Sequence, residues 1–416
     1  MLKRINLLII LGLLLFSVFQ LSAQNSTNSP YTRYGYGDLS NRSFGAGRSM
    51  GGIGIGLRSP NQINPMNPAS YACMDSLTFL FDFGASFQAS YYKDGTNKQN
   101  NLNGNVEYMA MQFPILKRAA MSVGLMPFSH VGYRFGEIKT SIDGEKYSES
   151  FEGVGGLNQL YAGLSIELWK KRLSIGANIN YLFGSITHTA VADYYYSINS
   201  TRVTGIQSMK LNDATFDFGL QYVQPLTKTD KLNVGIIFNP KKRLNNINYE
   251  TISNGSDVYL NDTITDSASD FPLGYGIGAT YVKENKLIVA VDFSLQEWNK
   301  ALFNGREDQF SKRPKISAGF EYIPNLFSRP YLNRTRYRAG LGYSNAYIRA
   351  NGNGYKEYSA TVGAGFPITD ARSFVNFSFE YVKIQPDFKT MINENYFRVT
   401  LSYTFNEFWF MKRKVD

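Results

Sequence analysis

From Leu77 to Tyr92 the side chains alternate without a break. Leu77, Phe79, Phe81, Phe83, Ala85, Phe87, Ala89 and Tyr91 fall on one face; Thr78, Leu80, Asp82, Gly84, Ser86, Gln88, Ser90 and Tyr92 fall on the other. A period of two marks a strand, yet strands in globular domains average about 5–6 residues. A strand that crosses a bilayer needs about 9–11 residues and often projects beyond it. This stretch suits a membrane wall better than a soluble sandwich.

The pattern recurs. Phe216, Phe218, Leu220 and Tyr222 alternate with Asp217, Gly219 and Gln221, and Val375, Phe377, Phe379 and Tyr381 alternate with Asn376, Ser378 and Glu380. Alternating segments begin near residues 77, 104, 118, 148, 173, 205, 231, 273, 286, 314, 336, 356, 373 and 395. Their connections are short at 116–118, 169–172, 224–230, 283–286 and 367–370. They are long at 93–103, 137–147, 188–203, 240–272, 296–313, 346–355 and 384–394, and 324–335 breaks the rule. An even count of about 14 strands, with short turns at one end and long loops at the other, describes an all-β transmembrane β-barrel. Lipid cannot satisfy backbone N–H and C=O groups, so such a sheet closes on itself. The barrel is expected over 77–405, with both termini and the short turns in the periplasm of a bacterial outer membrane.

The ends agree with export. Lys3 and Arg4 precede an apolar run from Ile5 to Phe19, and Leu21-Ser22-Ala23 supplies a small-residue cleavage site. Residues 1–23 therefore read as a signal peptide. The last strand alternates Phe397, Val399, Leu401, Tyr403 and Phe405. Residues 406–416, with Trp409 and Lys412-Arg413-Lys414, are expected as a periplasmic tail. Aromatic residues make up 15% of the chain, which suits strands and the two rims of a membrane wall. The formal charge of +10 would fit a nucleic-acid partner. Export and the scattering of the basic residues among short turns exclude that class and leave outer-membrane lipids as the expected surroundings. Cys73 is the sole cysteine, so no internal disulfide forms.

Residues 24–76 lack alternation. They carry glycines and the steps Asn64-Pro65 and Asn67-Pro68, which set turns and stiff extended bends. A segment of this kind before the first strand can climb into the barrel lumen and plug it. The run Gly51-Gly52-Ile53-Gly54-Ile55-Gly56 follows no strand and has no Gly-Lys-Ser/Thr after it, so it is not a phosphate loop. Only His130 and His188 are present, and with one cysteine they form no metal constellation. Ser129 and His130 are strand neighbours and point to opposite faces, so they form no dyad. No catalytic residue, metal or cofactor is expected. Asp257, Asp262, Asp266 and Asp270 do not have calcium-loop spacing and read as a solvated extracellular loop. Pro127 interrupts "MSVGLMPFSHVGYRFG". Proline removes a ladder hydrogen bond, so it marks either a bulge that opens the wall or the strand's extracellular end.

"SFGAGRSMGGIGIG" followed by "NPMNPAS" resembles the N-terminal hatch of the FadL-type outer-membrane transporters of hydrophobic compounds, which carry an Asn-Pro-Ala motif there. In this chain the motif is Asn67, Pro68 and Ala69, and Gly45, Gly47, Gly51 and Gly52 would pack the hatch. Residues 156–186 are similar to the family's central hairpin, and the tail looks like that of Bacteroidetes-type homologues. The resemblance implies a 14-stranded barrel with a hatch. It also implies a lateral gate where the third strand kinks, here Met126, Pro127 and Phe128, and passive uptake of a hydrophobic small-molecule ligand. The basic aromatic tail and the long 240–272 connection support an alternative. In that reading the barrel transports nothing and serves as a subunit among outer-membrane protein-complex partners, for secretion or barrel assembly.

Overall fold

A computed structural model describes residues 26–408 except 96, 143, 170–171, 195–201, 256, 265–267, 351, 369–371 and 389. The expected signal peptide, Asp266 and most of the expected tail lie outside the described residues. No helix among the described residues is long and apolar enough to cross a membrane. A short N-terminal strand, β1 (Asp38–Leu39), precedes β2 (Thr78–Asp94), β3 (Asn97–Leu116), β4 (Ala119–Thr140), β5 (Lys146–Trp169), β6 (Leu173–Asp193), β7 (Arg202–Pro225) and β8 (Lys231–Asn239). Then come β9 (Lys242–Leu244), β10 (Asn246–Asn254), β11 (Asp257–Ile264), β12 (Ser269–Phe271), β13 (Gly274–Lys283) and β14 (Leu287–Gln296). The last five are β15 (Arg313–Tyr322), β16 (Arg336–Asn345), β17 (Tyr355–Pro367), β18 (Phe374–Pro386) and β19 (Asn393–Phe408).

The strands β2–β8 and β13–β19 form a closed antiparallel barrel of 14, each paired with its sequence neighbours, with β8 joined to β13. Closure comes from β19 against β2, in register from Asn393↔Lys93 to Phe408↔Thr78. The last strand therefore runs past the expected end at Phe405, and Asn406, Glu407 and Phe408 belong to the wall. Burial is inverted relative to a soluble sheet. On β2 the polar Asp82, Ser86, Gln88 and Ser90 are buried, whereas Phe87 and Tyr91 are 44% and 47% exposed. Apolar side chains outward and polar side chains inward are what a wall between lipid and a filled lumen requires.

Much of what the sequence placed in long loops is strand. β4 to β7 have 21–24 residues each, whereas β13 to β16 have 10. One side of the barrel therefore stands well above the other. The 240–272 connection holds the β10–β11 hairpin, which extends the sheet from β7, and the small β9–β12 pair. Asp270, expected in solvent, is buried, with Lys241 Nζ at 3.0 Å and Arg243 Nε at 3.5 Å.

The wall is irregular at β3 and β4. They pair only from Met109↔Leu125 to Leu116↔Ala119. Above this, β3 stays with β2 and β4 stays with β5 up to Thr140↔Lys146, so the two strands part. A bulge at Phe128 follows Pro127. The strand does not end there. The bend continues across the wall at Gly156 and Gly184, with φ of +147° and +144°. A Cβ on Gly156 would stand 2.4 Å from the Ser129 carbonyl oxygen, so both the backbone angle and the space require glycine.

Candidate functional site

Residues 42–71 make ion pairs and hydrogen bonds with inward side chains of the wall, and every arginine from Arg42 to Arg58 reaches a carboxylate on a different strand. Arg42 pairs with Asp217 on β7, Arg48 with Glu107 on β3 at 2.7 Å, and Arg58 with Glu167 on β5 at 3.6 Å. On β14, Asp292 accepts the consecutive amides of Gly54, Ile55 and Gly56 at 2.7, 2.8 and 3.4 Å. Thr361 on β17 accepts the Gly51 amide at 2.9 Å and donates to the Ser49 carbonyl at 3.0 Å. Inward polar positions of the wall thus satisfy a segment too irregular to satisfy itself.

Gly45 and Gly51 lie where this segment touches the wall, whereas Gly47 packs within the segment against Ser43 and Ile53 and Gly52 lies nearest Asn41. Gly45 and Gly47 sit in the short helix Gly45–Ser49, with the Gly45 amide donating to Tyr108 Oη at 2.8 Å. Gly51 has φ of +73°, and a Cβ there would lie 2.6 Å from the Leu341 carbonyl oxygen. Gly52 follows, its amide bonded to the Gly47 carbonyl at 2.9 Å.

Asn67 caps the turn Pro68–Cys73. Its Oδ1 accepts the Ala69 amide at 3.1 Å, and its Nδ2 donates to the Ile55 carbonyl at 2.8 Å and the Leu220 carbonyl at 3.3 Å. A Cβ on wall Gly176 would lie 2.5 Å from the Pro68 carbonyl carbon, so strand and segment touch backbone to backbone. Ala69 is fully buried, and its carbonyl accepts Ser165 Oγ at 3.0 Å.

Met126 is buried with Phe44, Tyr71 and Tyr161, Pro127 sits opposite Asn158, and Phe128 lies edge-on to Tyr36 at 6.5 Å. The gap above them is occupied. β1 pairs with β4 at Asp38↔His130 and Leu39↔Ser129, the Ser40 amide donates to the Phe128 carbonyl at 3.0 Å, and Thr32 Oγ1 bonds Gly132 at 3.2 Å. On the β3 side, Asn105 Nδ2 donates to the Ser26 carbonyl at 3.0 Å. Residues 26–40 therefore bridge both strand edges.

Above the lumen, on the side of the long loops, Trp298, Phe310 and Tyr347 pack with Tyr36. Trp298 lies 4.7 Å from Tyr347 and 5.7 Å from Tyr36. The cavity below is about 160 Å³ and is lined by Asp38, Glu107, Arg313, Lys315, Glu357 and Arg398, among others. Burial, with Glu357 adding and Arg398 and Arg313 opposing, pushes the Asp38 carboxyl up to about 6. A larger hollow of about 790 Å³ is apolar, but it is formed by outward residues such as Leu164, Ile175, Phe218 and Ile236 and faces lipid. Among the described residues no His, Cys, Asp or Glu group could hold a metal, and His188 Nδ1 meets Tyr133 Oη at 2.7 Å. Sequence reasoning missed the wall carboxylates Glu107, Glu167, Asp217 and Asp292. They look like ordinary inward polar residues, and only the fold reveals their partners.

No curated protein matches the chain. Solved structures match its shape. A Pseudomonas aeruginosa FadL homologue superposes with a TM-score of 0.58 at 14% identity over 88% of this chain and 99% of that one. The CymD monoaromatic hydrocarbon channel gives 0.57 at 15% over 90% and 100%, and the Ralstonia pickettii toluene transporter TbuX gives 0.57 at 13% over 88% and 98%. At this identity the likeness establishes the fold alone, a FadL-type barrel of the bacterial outer-membrane kind. The family model described as BamG matches residues 1–416, the whole chain, and the chain belongs to the BamG family.

Proposed function

We propose that this protein is a plugged barrel that serves as a subunit of a larger outer-membrane machine for barrel assembly or secretion. The observation that carries this reading is the anchoring of the plug. Three arginine–carboxylate pairs on three strands and the Asp292 clamp on a fourth hold residues 42–58. Removing one partner of a buried ion pair costs about 3–5 kcal/mol, so a hatch that had to shift for each ligand would be poorly served by several such bonds. The lumenal cavity is charged, which disfavours an apolar occupant. The BamG family name points the same way. In this reading residues 24–76 are a structural plug, with Asn67, Pro68 and Ala69 as its contact with the wall.

The test is purification from native outer membranes in a gentle detergent. A stoichiometric set of partner polypeptides is expected. A barrel that elutes alone would sink the proposal.

One observation favours the second reading, passive uptake of hydrophobic small molecules with lateral exit: β3 and β4 part at the height of Met126, Pro127 and Phe128. The names of the structural relatives, a toluene transporter and a hydrocarbon channel, support it too. Burial would supply about 0.8 kcal/mol per CH₂ of a ligand. Solvent extraction of the same preparation discriminates: a reproducible fatty acid or other apolar compound in the lumen favours uptake.

A further inference from the structure

The β10–β11 hairpin is a sheet edge held ready on the outside of the barrel. β10 is zipped onto β7 from Asn246↔Leu211 to Asn254↔Val203, so the hairpin is fixed rather than swinging. β11 pairs with β10, and from Asp257 to Thr263 its other edge meets no strand among the described residues. Val258 is 60% exposed, Tyr259 68% and Leu260 37%. An edge with open N–H and C=O groups is a template for another strand, and proteins ordinarily blunt such edges with lysine, proline, a bulge or a covering element. From Asn246 to Ile264 there is no lysine or proline, and the edge has one irregularity, a bulge at Tyr259 between the pairs Ile252↔Leu260 and Ser253↔Val258.

The charge of this hairpin runs against that of the chain. The protein carries a formal +10, yet residues 246–264 hold Glu250, Asp257 and Asp262 and no lysine or arginine. None of the three carboxylates is in an ion pair among the described residues; Glu250 accepts Gln207 Nε2 at 3.0 Å. An acidic edge repels further copies of itself and attracts a cationic strand.

We infer that β11 is a docking edge for an extended, lysine- or arginine-bearing segment of a partner polypeptide on the cell-surface side, joined by β-augmentation. Main-chain hydrogen bonds to β11 would give affinity, contacts with Val258, Tyr259 and Leu260 would bury apolar surface, and Asp257 and Asp262 would select the basic strand. The inference rests on the subunit reading and names the surface through which one partner is held.

The test uses the full chain in native membranes, with a photo-crosslinking amino acid in place of Tyr259. The expected product joins Tyr259 to an extended basic segment of a co-purifying subunit. Its yield should fall about tenfold in Asp257→Lys/Asp262→Lys and return when that segment's cations are changed to glutamate. Heat-resistant migration on gels confirms that each variant barrel is folded. Co-purification without a crosslink at Tyr259, or a crosslink indifferent to charge reversal, would overturn the docking edge and leave the subunit reading standing. Loss of the product on chelation, with return on adding Ca²⁺, would make the hairpin a cation site instead. A barrel that purifies alone would overturn both.

Discussion

The Arg48 guanidinium lies 2.7 Å from the Glu107 carboxylate, with the two side chains 5% and 7% exposed. Glu107 also accepts Ser86 Oγ. The pair fastens the plug to β3 just above Met109, the last β3 residue paired with β4. It therefore sits at the root of the gap.

Arg48→Met should strand Glu107 in the lumen, at a cost of about 3–5 kcal/mol to plug docking. Hydrogen exchange should quicken across residues 43–57, while heat-resistant migration of the barrel persists, because closure lies at β2 and β19. Arg48→Met/Glu107→Leu should recover much of the protection. Equal exchange in the single variant and the wild type would show that the pair does not hold the plug.

Asn67→Ala removes the hydrogen bonds donated to the Ile55 and Leu220 carbonyls and the bond accepted from the Ala69 amide at a fully buried position, at a cost of about 1–3 kcal/mol for each group left unpaired. The barrel should still assemble, and exchange should quicken at Ile55 and Ala69. Leak of small solutes through reconstituted protein should rise. Failure to fold would mean that the motif acts in assembly.

Gly156→Ala places a Cβ 2.4 Å from the Ser129 carbonyl oxygen at a φ of +147°. The bend through β4 and β5 cannot absorb this without moving. Thermal stability should fall by more than in Gly205→Ala on β7, where nothing lies within 4 Å of the added Cβ. Matching losses would argue that the bend is not strained at Gly156.

Asp38 has a carboxyl pushed up from 3.8 to about 6 by burial, with Glu357 adding. The folded state therefore favours the neutral form. Its stabilising contribution is complete below about pH 4 and lost as pH rises through about 6. Docking of β1 on β4 has only two registered pairs, so protection of the Leu39 and Ser40 amides, corrected for intrinsic exchange, should fall over that window. Asp38→Asn should flatten the profile. An unchanged profile would assign the dependence to other groups.

The wall was legible because lipid imposes both a period of two and a minimum length, and Leu77–Tyr92 shows both. Its inward face was less so. Asp82, Asp217 and Asp292 read as polar partners of an alternation, and only closure shows what each one touches. Phe405 looked like an end because it is the last aromatic of the alternating series, whereas pairing with Thr78–Leu80 carries β19 to Phe408. The β10–β11 hairpin had a local signal, Asn254-Gly255 between alternating runs, masked by the polar character of the whole connection. Pro127 announced an irregular wall. The parting of β3 from β4, and its filling by residues 26–40, depended on contacts across about a hundred residues of sequence, such as Thr32 with Gly132.

The central claim, a barrel that works with its plug in place, is tested most directly by closing the gap covalently. Leu39→Cys/Ser129→Cys joins registered partners on β1 and β4 and can be linked by a thiol-bridging reagent in cells that carry no other copy. The account predicts that linked cells keep the full partner set and a normal outer-membrane protein profile, with no change on reversing the link. Loss of hydrophobic-compound uptake on linking, restored on reversal, with the partner set unaffected, would contradict it.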